Sequence, residues 1–302
     1  MSGCEPRAAI EGMVAEELAA AVPPPVEAVA AAARERHGPG ILAVLFYGSC
    51  YRDGRDEGGL VDLYLLAESY RAVHRHPSAR LANALLPPNV YYVDAPFEGR
   101  RVRAKYALVS LPQFLRLTGE RTFNPYFWAR FAQPTGLVWV HDPDVRAQIR
   151  RALVQAIVTT YRAARPLVGD RPDPLAVWQR AFLESYRTEL RVEKPERARQ
   201  IVEHFRERYL RLSGILGRLP AVSVGPAACR RRWRLRRVQG KLLSVLRLLK
   251  AAFTFRGGAE YLAWKIERHS GVPLELTPWQ KRHPVLAAAT LGWRLHRRRV
   301  IR

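Results

Sequence analysis

Two short apolar runs separated by a polar loop constrain the fold of this chain most strongly. The first run, ILAVLFY, covers Ile41–Tyr47, and the second, LVDLYLLA, covers Leu60–Ala67. Each run has the length of a buried strand and is bounded by glycines or polar residues. The sequence therefore predicts two strands joined by a glycine-bearing loop, with a single acid, Asp62, inside the second strand.

Helical and extended patterns surround these two strands. Further strands are predicted at Asn89–Val93 and Arg101–Leu108, around a turn at Asp94–Arg100. Apolar residues at helical spacing mark the flanking segments, which are 8–36, Ser69–Leu86, Leu111–Leu117, Pro125–Phe131, Val145–Arg165, Leu175–Gly217 and Cys229–Phe255. We therefore expect an α+β fold with a small mixed sheet, flanking helices and a mainly helical C-terminal half.

The loop between the first two strands has the features of a triphosphate site. Gly48 and Ser49 follow the first strand, and Asp62 lies in the next one. A glycine permits close backbone approach to phosphates, a serine hydroxyl and backbone amides bind their oxygens, and a carboxylate holds Mg²⁺. A Gly-Ser pair alone is usually just a turn, but an acid within a buried strand is costly unless it is paired or binds a metal. This arrangement is typical of the nucleotidyltransferase fold.

One position departs from that pattern. The second carboxylate, usually found two residues after the first, is replaced by Tyr64. Three explanations remain open: substrate phosphates and water complete the Mg²⁺ coordination, another acid such as Asp94, Asp53 or Asp56 substitutes, or catalysis has been lost.

Several linked motifs make the resemblance more specific. FYGSCYRDG followed by LVDLYLL resembles the mitochondrial phosphatidate cytidylyltransferase family, also called translocator assembly and maintenance proteins. His74, Val90–Tyr92, Lys105–Ser110 and Ala129–Pro134 match further family motifs in order and spacing. The resemblance covers about residues 41–165, and the C-terminal part matches only loosely.

The resemblance implies a reaction and roles for five residues. Phosphatidate would attack the α-phosphorus of CTP, releasing pyrophosphate and giving CDP-diacylglycerol, with Mg²⁺ as cofactor. Gly48 and Ser49 would bind the triphosphate, Asp62 the metal, and Lys105 and Arg130 a phosphate of CTP or phosphatidate. From the residues alone, the favoured interpretation of Lys105 is a solvated strand-end lysine, and that of Arg130 is a helix-surface charge.

The proline-rich stretch 166–174 is the strongest candidate for a linker. The predicted organisation is an N-terminal helical segment at 1–36, a nucleotidyltransferase catalytic domain at 37–165, the linker at 166–174, and a basic helical domain at 175–302. With 302 residues, 48% of them hydrophobic, the chain is long enough for two domains.

The positive charge is concentrated near the C-terminus. The formal net charge is +23, and residues 229–302 carry 19 Lys and Arg against three acids. Such a surplus predicts an anionic partner, either an acidic membrane surface or RNA. Lys241, Arg247 and Lys250 interleave with leucines, so their helix either lies in a headgroup layer or supplies the core of a helical domain. The charge-dense segment Trp293–Arg302 is expected on an anionic surface.

The remaining features concern location. No stretch approaches the ~18–20 apolar residues that a bilayer span needs, so we expect peripheral association with the inner face of the membrane. The N-terminus lacks the pattern of a secretory signal. Cys4, Cys50 and Cys229 are far apart and support neither a disulfide framework nor a zinc site, as expected of a cytoplasmic protein.

Two rival functions remain at this point. A nucleotidyltransferase-fold enzyme acting on RNA, a protein or a small molecule would also explain the basic C-terminus. A non-catalytic nucleotide-binding scaffold would explain Tyr64.

Overall fold

The protein has an α+β architecture built on one mixed sheet with flanking helices. The computed structural model describes residues 4–54, 59–169, 173–190, 195–219 and 224–254. The described strands are β1 (Ile41–Tyr47), β2 (Val61–Ala67), β3 (Asn89–Phe97), β4 (Arg100–Ser110) and β5 (Gly136–Val140). Their order across the sheet is β3-β4-β2-β1-β5.

Helices lie before, between and after the strands. In chain order the described helices are α1 (Cys4–Ala19), α2 (Pro24–Glu35), α3 (Gly48–Asp53), α4 (Tyr70–Val73), α5 (Pro77–Leu85), α6 (Leu111–Leu117), α7 (Trp128–Phe131), α8 (Pro143–Ala164), α9 (Ala176–Tyr186), α10 (Pro195–His204), α11 (Arg206–Leu216) and α12 (Pro226–Thr254).

The register of the three central strands brings the predicted site together. Strand β1 pairs antiparallel with β2, so that Tyr47 lies opposite Asp62. Strand β2 pairs parallel with β4, so that Asp62 lies beside Lys105. Helix α3 begins directly after β1. The Gly48 bend, Asp62 and Lys105 are therefore neighbours, although they come from three separate parts of the sequence.

Each face of the sheet has its own apolar cluster, because successive side chains of a strand point to opposite sides. One cluster joins the sheet to α2 and includes Val29, Leu63 and Tyr106. The other joins Tyr64 and Leu66 to the helices on the opposite face.

The second of these clusters continues beyond the predicted linker. It runs from Ile10 in α1 through Trp178 in α9 and Tyr209 in α11 to Trp233 in α12. The division of the chain at 166–174 stays a prediction, but this core is common to residues on both sides of it.

Most predicted elements are present, with informative differences at their ends. The predicted helix Ser69–Leu86 is interrupted, because His76 adopts the extended conformation favoured before Pro77, and α4 and α5 are separate. The predicted turn at 94–100 is shorter, since β3 runs to Phe97 and only Glu98 and Gly99 make the turn. Strand β5 was not predicted, and it pairs with β1 at the edge of the sheet.

Helix α12 has two contrasting halves. Near its start Cys229 and Trp233 are buried, and the Trp233 Nε1 donates a hydrogen bond of 2.8 Å to the Ala163 carbonyl. Its later turns expose a row of large apolar side chains, which are Leu235, Val238, Leu242, Val245, Leu246, Leu248 and Leu249. Nine Lys and Arg and no acid lie on this helix.

The C-terminal half of α12 is hydrogen-bonded to the backbone just before β3. The Arg247 Nε donates to the Pro87 carbonyl at 2.9 Å, and the Lys250 Nζ donates to the carbonyls of Leu86 and Pro88. Gly240 permits close approach, since a Cβ at that position would lie 2.5 Å from the Thr188 carbonyl oxygen. Across the described residues, no helix combines the length and apolar character needed to cross a bilayer.

Candidate nucleotide-binding site

A cavity of about 220 Å³ opens where β1 ends and α3 begins. Gly48, Ser49, Asp62 and Arg130 all line it, so four of the five predicted site residues share one space. Its other walls come from α7, from the residues around the end of α9, and from α10.

Gly48 is required at the bend for two independent reasons. Its φ of +89° lies in the left-handed region, where side chains are disfavoured. A Cβ at this position would also lie 2.7 Å from the Oδ2 atom of Asp62. The glycine therefore lets the backbone after β1 sit directly against the Asp62 carboxylate.

Asp62 and Lys105 form an ion pair across β2 and β4. The Lys105 Nζ lies 3.3 Å from the Asp62 Oδ1, and the two side chains are 39% and 22% exposed. Lys105 does not line the cavity wall, so it reaches the site only through Asp62. A partly exposed pair of this kind leaves the carboxylate accessible to a further cation.

Tyr64 lies on the same face of β2 as Asp62 but belongs to the core. It is completely buried, with ring centroids 5.3 Å from Tyr47 and 5.0 Å from Phe131. Burial, followed by the nearby Tyr126 and Tyr47, raises the pKa of its hydroxyl well above the usual value. The position of the missing second acid is therefore filled by a neutral side chain in an aromatic cluster.

Neither Asp94 nor Asp53 lines this cavity. Asp94 is paired with Arg101 on the β3–β4 hairpin, and Asp53 is paired with Arg52 at 2.9 Å. Asp56 lies outside the described residues. The second carboxylate in the cavity wall is instead that of Glu189, which follows α9.

The cavity offers a limited set of ligands for the predicted Mg²⁺. Within the part of the chain that the structure describes, no three His, Cys, Asp or Glu residues are grouped to hold a metal ion. Mg²⁺ commonly takes one or two protein carboxylates and completes its octahedral shell with substrate phosphates and water. Asp62 beside the Ser49 bend fits that incomplete, substrate-dependent type of site.

Arg130 is a cavity residue rather than a surface charge. Its guanidinium lies 3.6 Å from Glu189 and over the rings of Tyr47 and Tyr126, at 5.5 and 5.0 Å from their centroids. Its buried Nε has no hydrogen-bond partner among the described residues. Burial opposes its charge, but the pKa of the guanidinium lies well above the ordinary value, and the Glu189 carboxylate is among the groups that raise it. Arg130 is therefore a permanent cation at the site.

Tyr47 contributes a neutral ring to the wall of the same cavity. Burial, and then the charge of Asp62, raise the pKa of its hydroxyl far above the usual value. The phenol therefore stays protonated.

Three charged residues of the wall were missed by sequence reasoning: Arg52, Glu189 and Arg197. Arg52 could have been found, because it follows Ser49 by three residues and α3 is helical. Glu189 and Arg197 carry no local signal, since only the packing of α9 and α10 brings them to the loop.

The remaining family motifs have different positions. Tyr92 of the Val90–Tyr92 motif pairs with Lys105 in the β3–β4 register, so these two motifs form neighbouring strands. His74 does not line the Asp62 cavity. It is buried, its Nε2 lies 3.1 Å from the Asn83 Nδ2, and it lines a second cavity.

Comparison with known proteins adds no family assignment. No protein-family model matches this chain, and no curated protein matches it significantly. The resemblance to phosphatidate cytidylyltransferases therefore rests on the motifs themselves.

Proposed function

We propose that this protein is a Mg²⁺-dependent enzyme of the nucleotidyltransferase fold that transfers a cytidylyl group from CTP to phosphatidate at an anionic membrane surface on the cytoplasmic side. The observation that carries the proposal is the contact between the Gly48 bend and the Asp62 carboxylate. No side chain is tolerated at Gly48, which lies against Asp62 in a buried strand. Arg130 lines the same cavity, and this arrangement is suited to binding polyphosphate.

The cavity residues have separate tasks in this reaction. The Ser49 hydroxyl and backbone N–H groups of the bend donate to phosphate oxygens, and Arg130 neutralises negative charge from the opposite wall. A phosphate oxygen of phosphatidate attacks the α-phosphorus of CTP and forms the new P–O bond. The bond from the α-phosphorus to the bridging oxygen breaks, and pyrophosphate leaves with its electron pair. Positioning and charge neutralisation supply most of the rate enhancement.

Asp62 would hold Mg²⁺ together with phosphate oxygens of the nucleotide and water. When bound, the ion neutralises the charge that builds up on the departing pyrophosphate. Lys105 keeps the Asp62 carboxylate in place by its 3.3 Å contact. Glu189 holds Arg130 toward the cavity from the opposite side.

A neighbouring groove supports an amphiphilic acceptor. A space of about 500 Å³ is lined by Leu190, Leu248 and Arg247, and it shares Tyr126 and Glu189 with the wall of the first cavity. The Arg247 guanidinium lies 4.3 Å from the centre of the Tyr126 ring. A cation beside apolar side chains at the mouth of the site suits a lipid phosphate with acyl chains.

The exposed row of α12 favours a membrane over RNA. Leucines next to a dense set of cations suit a helix lying in a layer of anionic headgroups. RNA phosphates would be satisfied by the cations alone. The charge-dense segment Trp293–Arg302 lies outside the described residues and stays a prediction.

The direct test is a pyrophosphate-release assay with the full chain, Mg²⁺ and vesicles containing phosphatidate. Each of the four nucleoside triphosphates is supplied in turn. We expect release with CTP, dependent on phosphatidate, and formation of CDP-diacylglycerol. No release above background with any nucleotide would overturn the enzymatic proposal and favour a binding scaffold.

The acceptor surface has its own test. Replacing Leu242 and Leu249 together by Gln should weaken flotation with anionic vesicles by about tenfold or more, because two exposed apolar contacts with lipid are lost. The matched control replaces Leu81 and Leu85, which are exposed leucines of α5, in the same way. Equal losses of vesicle binding in both double variants would contradict a membrane role for α12. Tight RNA binding that is unchanged in the α12 variant would contradict it as well.

A further inference from the structure

A second, larger cavity lies on the opposite face of the sheet. It holds about 610 Å³ and shares no lining residue with the Asp62 cavity among the described residues. Tyr91 and Tyr106 of its wall belong to the apolar cluster around α2, whereas Tyr64 beside Asp62 belongs to the other cluster. A ligand here would therefore be separated from the Asp62 site by the sheet itself.

Basic side chains are prominent in the walls of this cavity. Two arginines and three histidines line it, and the described lining residues include no carboxylate. The basic residues are Arg36, His37, His74, Arg75 and His76. A concave surface with convergent guanidinium and imidazole groups, and with no carboxylate among its described lining residues, attracts a small anion.

The buried floor is polar and held in place. Tyr91 and Tyr106 stack with ring centroids 5.2 Å apart, and the His37 Nε2 lies 3.0 Å from the Tyr106 hydroxyl. Arg36 is fixed at the rim by a 2.7 Å hydrogen bond to the Tyr92 carbonyl. Preorganised groups of this kind lose little freedom when a ligand binds.

The side-chain oxygen of Asn89, at the floor of the cavity, is a buried acceptor without a donor among the described residues. Asn89 is 1% exposed, and its Nδ2 donates to the Tyr91 hydroxyl at 3.2 Å. Its Oδ1 accepts no hydrogen bond from the described residues. Buried side-chain oxygens are seldom left unpaired, because the loss of hydration costs about 1–3 kcal/mol. A deprotonated phosphate oxygen cannot satisfy this acceptor, whereas a hydroxyl group of an organic ligand can.

We propose that this cavity binds a small phosphomonoester that also carries hydroxyl groups, as a sugar phosphate does. The phosphate contacts Arg36, Arg75 and His76, whose side chains are exposed at the rim. The hydroxyl-bearing part reaches the floor, where a hydroxyl donates to the Asn89 Oδ1. The site is distinct from the cavity assigned to the nucleotide, and it does not depend on the function proposed for that cavity.

Isothermal titration of the full chain with ribose 5-phosphate tests this proposal, with ribose and inorganic phosphate as separate probes. We expect saturable binding of ribose 5-phosphate, and at least tenfold weaker binding of either probe. No saturable heat with ribose 5-phosphate would overturn the proposal. Equal affinity for inorganic phosphate would overturn it as well, because the organic part would then contribute nothing.

Two variants locate the site. Arg75 is exposed, so Arg75→Gln should leave the fold intact while weakening ribose 5-phosphate binding by about tenfold through loss of a charged contact. Arg71→Gln is the matched control, because Arg71 is an exposed arginine of α4 that does not line the cavity. Equal effects of both variants would show that general surface charge binds the ligand and would overturn the proposal.

A third variant separates this site from the first cavity. Arg130→Gln should leave ribose 5-phosphate affinity unchanged, because Arg130 lies on the other side of the sheet. Loss of binding in that variant would place ribose 5-phosphate in the Asp62 cavity and would overturn the proposal. This conclusion would hold whether or not the protein releases pyrophosphate from CTP.

Discussion

Asp62 and Glu184 are both acids within the folded body, and both face cations, but their surroundings differ completely. Glu184 is 0% exposed and contacts three arginines, with Arg180 and Arg187 at 3.1 Å and Arg237 at 2.8 Å. Asp62 is 22% exposed, contacts one lysine at 3.3 Å, and opens onto a cavity.

The difference shows what distinguishes a structural acid from a candidate functional one. The Glu184 carboxylate is enclosed by α9 and α12, and its partners leave no approach for a ligand. The Asp62 carboxylate keeps an open side toward Ser49 and Arg130. A charged acid in a buried setting is therefore not sufficient to mark a site, and accessible coordination is the deciding feature.

The strongest test of this comparison is Asp62→Asn. If Asp62 binds Mg²⁺, the change should lower CTP-dependent pyrophosphate release by at least about 10³-fold, since a metal ligand contributes several kcal/mol to charge neutralisation. Thermal unfolding should be nearly unchanged. Asp94→Asn is the control, and near-normal turnover is expected because Asp94 is occupied by Arg101. Normal turnover in Asp62→Asn would show that Asp62 is not a functional acid.

Glu184→Gln should show the opposite behaviour. Removing this charge leaves three arginines facing each other without their shared partner, and the free energy of unfolding should fall by about 3 kcal/mol. Urea denaturation measures the change. Glu203→Gln is the control, because Glu203 makes an exposed pair with Arg206 and should cost less than about 1 kcal/mol. Equal costs for both substitutions would contradict the structural role of Glu184.

Gly48→Ala sharpens the comparison by moving the Asp62 carboxylate without removing it. The new Cβ would lie 2.7 Å from the Asp62 Oδ2, and the displacement should reduce activity about 10²-fold. Gly54→Ala is matched to it, since Gly54 has a φ of +63° and open space around it. Both variants should lose about 1–2 kcal/mol of stability, but only Gly48→Ala should lose activity. Similar activity in the two would show that the contact with Asp62 does not matter.

The smallest expected effect concerns the cation of the Asp62 pair. Lys105→Met should change stability by less than about 1 kcal/mol, because the pair is partly exposed. Arg237→Met should cost more, since it removes two contacts of 2.8 and 3.2 Å from a fully buried carboxylate. Chemical denaturation measures the free energy of unfolding of both variants. A larger loss for Lys105→Met than for Arg237→Met would mean that the Asp62 pair has the structural role.

Sequence patterns were sufficient where structure is local. The strand Ile41–Tyr47 and the helix Leu111–Leu117 were predicted with their observed bounds, because apolar run length and Pro112 fix them locally. Gly48, Ser49 and Asp62 were predicted to lie together, and they do, because β1 pairs antiparallel with β2 and Tyr47 lies opposite Asp62. The metal and the nucleotide stay predictions.

Sequence patterns were insufficient where structure depends on distant packing. Strand β5 is five residues long and is defined by its pairing with β1, so no run of its own marks it. Glu189 reaches the cavity only because α9 packs against α7 and α8. Arg237, one of the three partners of Glu184, lies 53 residues away on α12, and a pair of that separation has no signature in a single sequence.

Among the described residues, the apolar cluster that starts at Ile10 extends to Trp233. On the ribosome, the sheet strands emerge early, but one of their faces must wait for the later helices before it is covered. During that interval the nascent chain presents bare apolar surface, which favours aggregation and binding by chaperones. Yield in cells should therefore depend on how quickly translation reaches the Trp233 codon.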